Sequence, residues 1–147
     1  MRKVTSVDKT ADSVVKTKIA KLAGKLDKRT LAIWAADCAE RALPRFEKKY
    51  HRDKRPRKAI EACRAWVRTG VFKMADVRGA ALAAHAAARK AEEGPARAAA
   101  RAAGQAMATA HVAGHAVAAA DYAAKAAKAP EKERAWQYKR LSKLRGR

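Results

Sequence analysis

Alanine is the feature that most constrains this chain: 40 of its 147 residues are alanine, against 7 glycines and 4 prolines. Alanine has the highest helix propensity of all residues and is depleted in strands. The glycines and prolines stand at separated positions and divide the chain into segments of helical length. The sequence therefore predicts an all-α protein, and its length suits one compact domain.

The predicted architecture is a compact alanine-rich bundle of about six helices, with a basic N-terminal extension and a basic C-terminal helix. Residues 1–30 form the extension, which is also predicted to be helical, and residues 31–147 form one helical domain. Thr30 is the predicted cap of the second helix, and Pro44 is expected to kink it. The six helices are predicted over about 8–25, 30–50, 56–70, 74–94, 96–129 and 130 onwards.

The predicted core is thin, because alanine buries little apolar area and lets helices approach closely. A few large side chains should therefore supply much of the core's stability. Cys38 and Cys63 have neither CxxC nor zinc-finger spacing, so we interpret both as core residues. The large side chains expected to anchor the core are Trp34, Trp66, Phe72, Leu82 and Tyr122.

The charge is strongly positive, with 35 Lys and Arg against 14 Asp and Glu and a net charge of +21. It is also uneven, since residues 1–30 and 31–70 each carry +6 and residues 131–147 carry +5, whereas residues 71–94 carry only +1. This balance excludes an acidic mimic of DNA and favours an anionic partner.

One stretch, residues 45–58, contains eight cations and only two carboxylates, Glu47 and Asp53. Like charges at this density repel one another unless anions compensate them. The stretch is therefore either a contact surface for an acidic partner or for phosphates, or a solvated face, and the sequence leaves both open. Its cations are Arg45, Lys48, Lys49, Arg52, Lys54, Arg55, Arg57 and Lys58.

Polar residues also lie on apolar helix faces: His85, His111 and His115, with Asp37 on the second helix. Three imidazoles and a carboxylate could bind a metal, could form a buried hydrogen-bond network that fixes helix register, or could simply be exposed. The spacing HxxxH lacks the glutamate of zinc proteases. We predict the buried polar network, with no metal and no cofactor.

Other patterns point away from catalysis and membranes. No nucleophile with a positioned base and no phosphate-binding glycine loop can be assembled, so an enzyme is not predicted. Asp37 and Arg41 have the i, i+4 spacing of a helix-surface ion pair.

Residues 102–120 lack charge but are mostly alanine, which predicts a buried helix and not a membrane span. The first residues lack a signal-peptide pattern, so a cytoplasmic location is expected.

Several strings together resemble a known bacterial family: LAIWAADCAERALPRFE at 31–47, RPRKAIEACRAW at 55–66, AAHAAAR at 83–89, AARAAGQAMATAHVAGHA at 99–116 and ERAWQ at 133–137. They are similar to immunity protein 5 of polymorphic toxin systems. The resemblance implies an all-helical cytoplasmic protein that protects a cell by binding and blocking a toxin.

Two functional hypotheses follow. In the first, the chain binds a protein toxin or other acidic partner through residues 45–58, because a basic surface requires an acidic face on its partner. In the second, the same cations and the basic terminal segments bind DNA or RNA backbones without sequence specificity. Aromatic side chains that could stack on bases are few, which makes sequence-specific readout of nucleic acid unexpected.

Overall fold

The structure, a computed structural model, describes the backbone of residues 2–146 and the side chains of residues 11–146. Over these residues the chain is helical and contains no strand, which confirms the all-α prediction. The helices are α1 (Arg2–Ala23), α2 (Lys28–Ala42), α3 (Pro44–Glu47), α4 (Arg55–Thr69), α5 (Met74–Lys90), α6 (Pro95–Ala108), α7 (His115–Ala126) and α8 (Pro130–Arg145).

The described helices number eight and not six, because two predicted helices are each divided. Pro44 begins the single turn α3 and separates it from α2. The cap of α2 is also one turn earlier than predicted, since Asp27 accepts a 2.7 Å hydrogen bond from the backbone N–H of Thr30. That bond lowers the pKa of the Asp27 carboxyl. Thr30 is therefore the donor to the cap and not the cap itself.

The predicted helix over 96–129 is wrong, because the chain turns between Thr109 and Gly114. The backbone bonds at this turn tighten to the i to i−3 pattern, as in the 3.0 Å bond from the N–H of His111 to the carbonyl of Ala108. The Thr109 hydroxyl also donates to the Gln105 carbonyl, an interaction that bends helices. The turn lets α7 pack along α6, and these two helices form the alanine-rich centre of the bundle.

Helix α2 packs against this α6–α7 centre and also against α4 and α8. Trp34 on α2 is fully buried, and its indole Nε1–H donates a 2.9 Å hydrogen bond to the backbone carbonyl of Gln137 on α8. The two central helices carry alanines with no exposed surface: Ala99, Ala100, Ala102, Ala103 and Ala106 on α6, and Ala116, Ala119 and Ala120 on α7.

Four of the five predicted anchors are not fully buried. Leu82 is 57% exposed and Phe72 is 40% exposed, so their assignment to the core is wrong. Leu82 follows Ala81 of the inner face of α5, and one residue along a helix turns the side chain by about 100°. Trp66 and Tyr122 pack on the edge of the core. Its largest buried side chains besides Trp34 are Phe46, Ile19, Leu43, Met107 and Leu141.

Cys38 and Cys63 are both buried and unpaired, which confirms their assignment to the core. The Cys63 thiol lies 3.3 Å from the carbonyl oxygen of Ala106, between α4 and α6. Burial raises the pKa of Cys63 to about 12 and raises that of Cys38 well above its usual value. Both thiols therefore stay protonated near neutral pH.

The basic extension is part of the packed structure over its second half. Ile19 and Leu22 of α1 are buried, and α1 packs mainly against α8. None of the helices in the described part of the chain is both long and apolar enough to cross a membrane.

Candidate partner-binding surface

The cations of residues 45–58 occupy α3, the turn that follows it and the first turn of α4. Two of these cations are tied to carboxylates of the same stretch. Arg55 binds Asp53 with both guanidinium bonds under 3 Å, and Arg57 binds Glu47 with two bonds of 2.6 Å. These bonds lower the pKa of both carboxyls. A third cation, Lys49, pairs with Glu92 before α6.

The other five cations of this stretch have no carboxylate partner among the residues that the structure describes. Four of the five are exposed, and the fifth is half-buried. We call this set the 45–58 patch: Arg45, Lys48, Arg52, Lys54 and Lys58. Because the neighbouring carboxylates are already bound to other cations, the field of the patch extends into solvent.

The predicted buried polar network does not form as one unit. His111 is exposed, and its ring stacks on Phe72 with 6.3 Å between ring centroids. The turn after α6 is the cause, because it takes His111 off the inner stripe of the predicted long helix. His115 instead bonds to Gln105 over 2.7 Å, and Asp37 faces α4 and α8. Within the described chain, no three His, Cys, Asp or Glu residues are arranged to bind a metal.

His85 lies between α5 and α6, where its ring packs on Gly104. Arg101 lies 3.0 Å from its Nδ1, and since a guanidinium can only donate, Nδ1 must accept and the ring must be neutral. Burial, then the charges of Arg101 and Arg89, lower the pKa of His85. The imidazole is therefore a neutral packing group.

This arrangement predicts a pH dependence of stability. The pKa of His85 in the folded state is below its usual value of 6.5, so the unfolded chain binds the proton more tightly. The contribution of neutral His85 to the stability of the fold is therefore complete above about pH 6.5, and it is lost as the pH falls through the lowered pKa of the folded state. We expect urea unfolding from pH 7.5 down to pH 5 to show a steeper loss of stability in the native chain than in His85→Gln. Parallel curves of unfolding free energy against pH for the two proteins would show that His85 contributes nothing to the pH dependence of stability.

A second surface feature is a groove of about 580 Å³ between α2, α4 and α8. Asp37 lies at its floor, with its side chain 17% exposed, and accepts bonds from Arg64 at 3.1 Å and from Arg140 at 2.8 Å. Glu40 accepts a further 2.7 Å bond from Arg64. We call this feature the Arg–Trp groove; it is lined by Asp37, Glu40, Arg41, Arg64, Trp136, Lys139, Arg140 and Lys143.

One wall of the Arg–Trp groove is a stacked pair. The Arg41 guanidinium lies 4.0 Å from the centroid of the Trp136 ring and is held there by Glu133, whose carboxylate accepts two bonds of 2.8 and 3.0 Å. The expected ion pair of Arg41 with Asp37 is therefore not the one formed. Arg41 pairs with Glu133 on α8 in place of Asp37, because the two bonds of this bidentate contact hold both side chains in one geometry.

The Arg–Trp groove is not predictable as a site from the sequence alone. Its residues come from three helices, of which α8 is distant in the sequence from α2 and α4, and each helix alone carries only an ordinary mixture of charges. The available signals were Trp136 within the basic C-terminal helix and the grouping of Lys139, Arg140 and Lys143 on one side of it. Only the packing of α8 against α2 brings them beside Asp37 and Arg64.

The fold and these two features define a helical protein that presents positively charged surface on an alanine-rich core. Residues 21–144 match the model of the family described as "Imm-5 like putative immunity protein". The chain belongs to this family, which confirms the resemblance seen in its sequence. Comparison with curated proteins gave no match, and neither did comparison with solved structures.

Proposed function

We propose that this chain is a cytoplasmic immunity protein that binds a toxin with an acidic face and blocks it by covering that face, without catalysis. The observation that carries this proposal is the 45–58 patch, whose cations have no carboxylate partner among the described residues. Clustered surface charge accelerates the approach of a partner of opposite charge and orients it before contact. Membership of an immunity family supplies the class of partner.

The test is co-expression with toxins encoded beside the gene for this protein. The native chain should restore growth, whereas Lys48→Glu with Arg52→Glu should slow association and weaken rescue. A matched control reverses two exposed cations of α5, Arg78 and Arg89, and should rescue like the native chain. Failure of the native chain against every adjacent toxin, or equal rescue by both double variants, would overturn the proposal.

The alternative is non-specific binding of DNA or RNA backbones by the same patch, which its density of cations also favours. Such binding weakens steeply as salt rises, because each neutralised phosphate releases counterions. Electrophoretic mobility of duplex DNA and of single-stranded RNA, measured over increasing salt, distinguishes the two functions. Absence of binding even at about 50 mM salt would remove the alternative.

A further inference from the structure

The Arg–Trp groove has the composition of the centre of a protein interface. Tryptophan and arginine dominate the residues that contribute most to protein binding, and such residues cluster in pockets. Here Trp136 lies beneath Arg41, and Arg64 and Arg140 converge on the carboxylate of Asp37. These arginines are already fixed by ion pairs, so binding would cost little side-chain entropy.

The groove also has positive charge in excess. Five cations line it, against the carboxylates of Asp37 and Glu40. Both carboxylates are engaged by arginines, and Arg41 is bound by Glu133. Lys139 and Lys143 are exposed on α8 one turn apart, and neither has a carboxylate partner among the described residues. They are the groups in the groove with capacity for an added anion.

We infer that the Arg–Trp groove seats an acidic segment of the partner protein, with Lys139 and Lys143 binding its carboxylates. This inference rests on the proposed function and assigns the part of the surface that selects the partner. A peptide suits the groove because it supplies two kinds of group: carboxylates for the lysines and backbone N–H donors for Glu40, which is more than half exposed.

A nucleic acid fits the groove less well. Its phosphates would meet the carboxylates of Asp37 and Glu40 as well as the lysines. Stacking of bases requires an open aromatic face, and Arg41 occupies a face of Trp136. The groove and the 45–58 patch therefore have different roles: the patch accelerates and orients the approach of the partner, and the groove binds its acidic segment.

The experiment is a titration of the full chain with a short fluorescein-labelled peptide of repeated Glu-Asp-Gly, followed by anisotropy. Lys139→Glu with Lys143→Glu should raise Kd by at least about tenfold. The matched control, Arg78→Glu with Arg89→Glu, makes the same change in net charge on α5, which packs against α4 and α6, and should leave Kd within about twofold. Circular dichroism should be native in both, because all four side chains are exposed.

Three results would overturn the inference. The first is that the peptide does not bind the native chain. The second is that both double variants weaken peptide binding equally, which indicates bulk charge alone. The third is that labelled oligothymidine binds the native chain more tightly than the peptide does and no longer binds the Lys139/Lys143 variant, which indicates a nucleic-acid site.

Toxin neutralisation separates this inference from the proposed function. If the Lys139/Lys143 variant still rescues growth fully while the Lys48/Arg52 variant does not, the groove assignment fails and the proposed function stands. If the native chain rescues against no adjacent toxin but the peptide result holds, the proposed function fails and the groove remains a binding site for acidic peptides.

Discussion

Replacing Trp34 with alanine is expected to lower the free energy of unfolding by about 3–5 kcal/mol. Trp34 has no exposed surface and is the largest side chain in a core that consists mostly of alanine. Methyl groups cannot move far enough to fill the space that an indole leaves, so most of the cavity should persist. The indole also donates to the Gln137 carbonyl and thereby joins α2 to α8, and that bond is lost as well.

Urea unfolding followed by circular dichroism measures this loss. Trp34→Phe keeps most of the ring volume and removes the indole N–H, so its cost should be smaller. Leu82→Ala removes a large apolar side chain that is 57% exposed and should change stability by less than about 1 kcal/mol. A loss in Trp34→Ala no greater than that in Leu82→Ala would mean that Trp34 does not organise the core.

Replacing Gly104 with alanine should also destabilise the protein, although alanine is the better helix former. A Cβ at this position would lie 2.7 Å from Nε2 of His85 and 2.8 Å from Cε1, closer than real Cβ atoms come to neighbours. The imidazole is half-buried and bound to Arg101, so it cannot move aside freely. Such overpacking costs about 1–3 kcal/mol, while the gain in helix propensity is only about 1 kcal/mol.

Gly79→Ala is the matched control, because Gly79 lies within α5 and nothing lies within 4 Å of its added Cβ. That substitution should stabilise the chain by up to about 1 kcal/mol. The difference between the two variants, measured by urea unfolding, isolates the clash. Adding His85→Ala to Gly104→Ala should relieve it, so the double variant should be more stable than the sum of the single losses predicts. Additive losses would show that the ring is not the obstacle.

Helix positions were predictable wherever a local signal marks the boundary. Pro56, Gly70 and Pro130 mark the limits of α4 and the start of α8 because their backbone chemistry acts within one turn of the chain. The break after Ala108 was not predictable in this way, since Thr109, His111 and Val112 do not exclude a helix. The break becomes evident only in the tertiary structure, where α7 packs along α6.

The candidate site was predictable only in part. The 45–58 patch is contiguous in sequence, so its charge could be counted directly, but the pairing of Lys49 with Glu92 depends on tertiary structure. The Arg–Trp groove required the packing of α8 against α2, which places Arg140 within 2.8 Å of Asp37 across 103 positions. His111 was misplaced because a helical stripe was extended through residues that turn.

The decisive measurement is hydrogen exchange of the chain, free and in the presence of a toxin encoded beside its gene against which it restores growth. Binding should slow exchange in residues 45–58 and in the parts of α2, α4 and α8 that line the Arg–Trp groove, and should leave α5 unchanged. Protection confined to the apolar surface around Phe72 and Leu82, with none at the groove or the patch, would contradict this expectation.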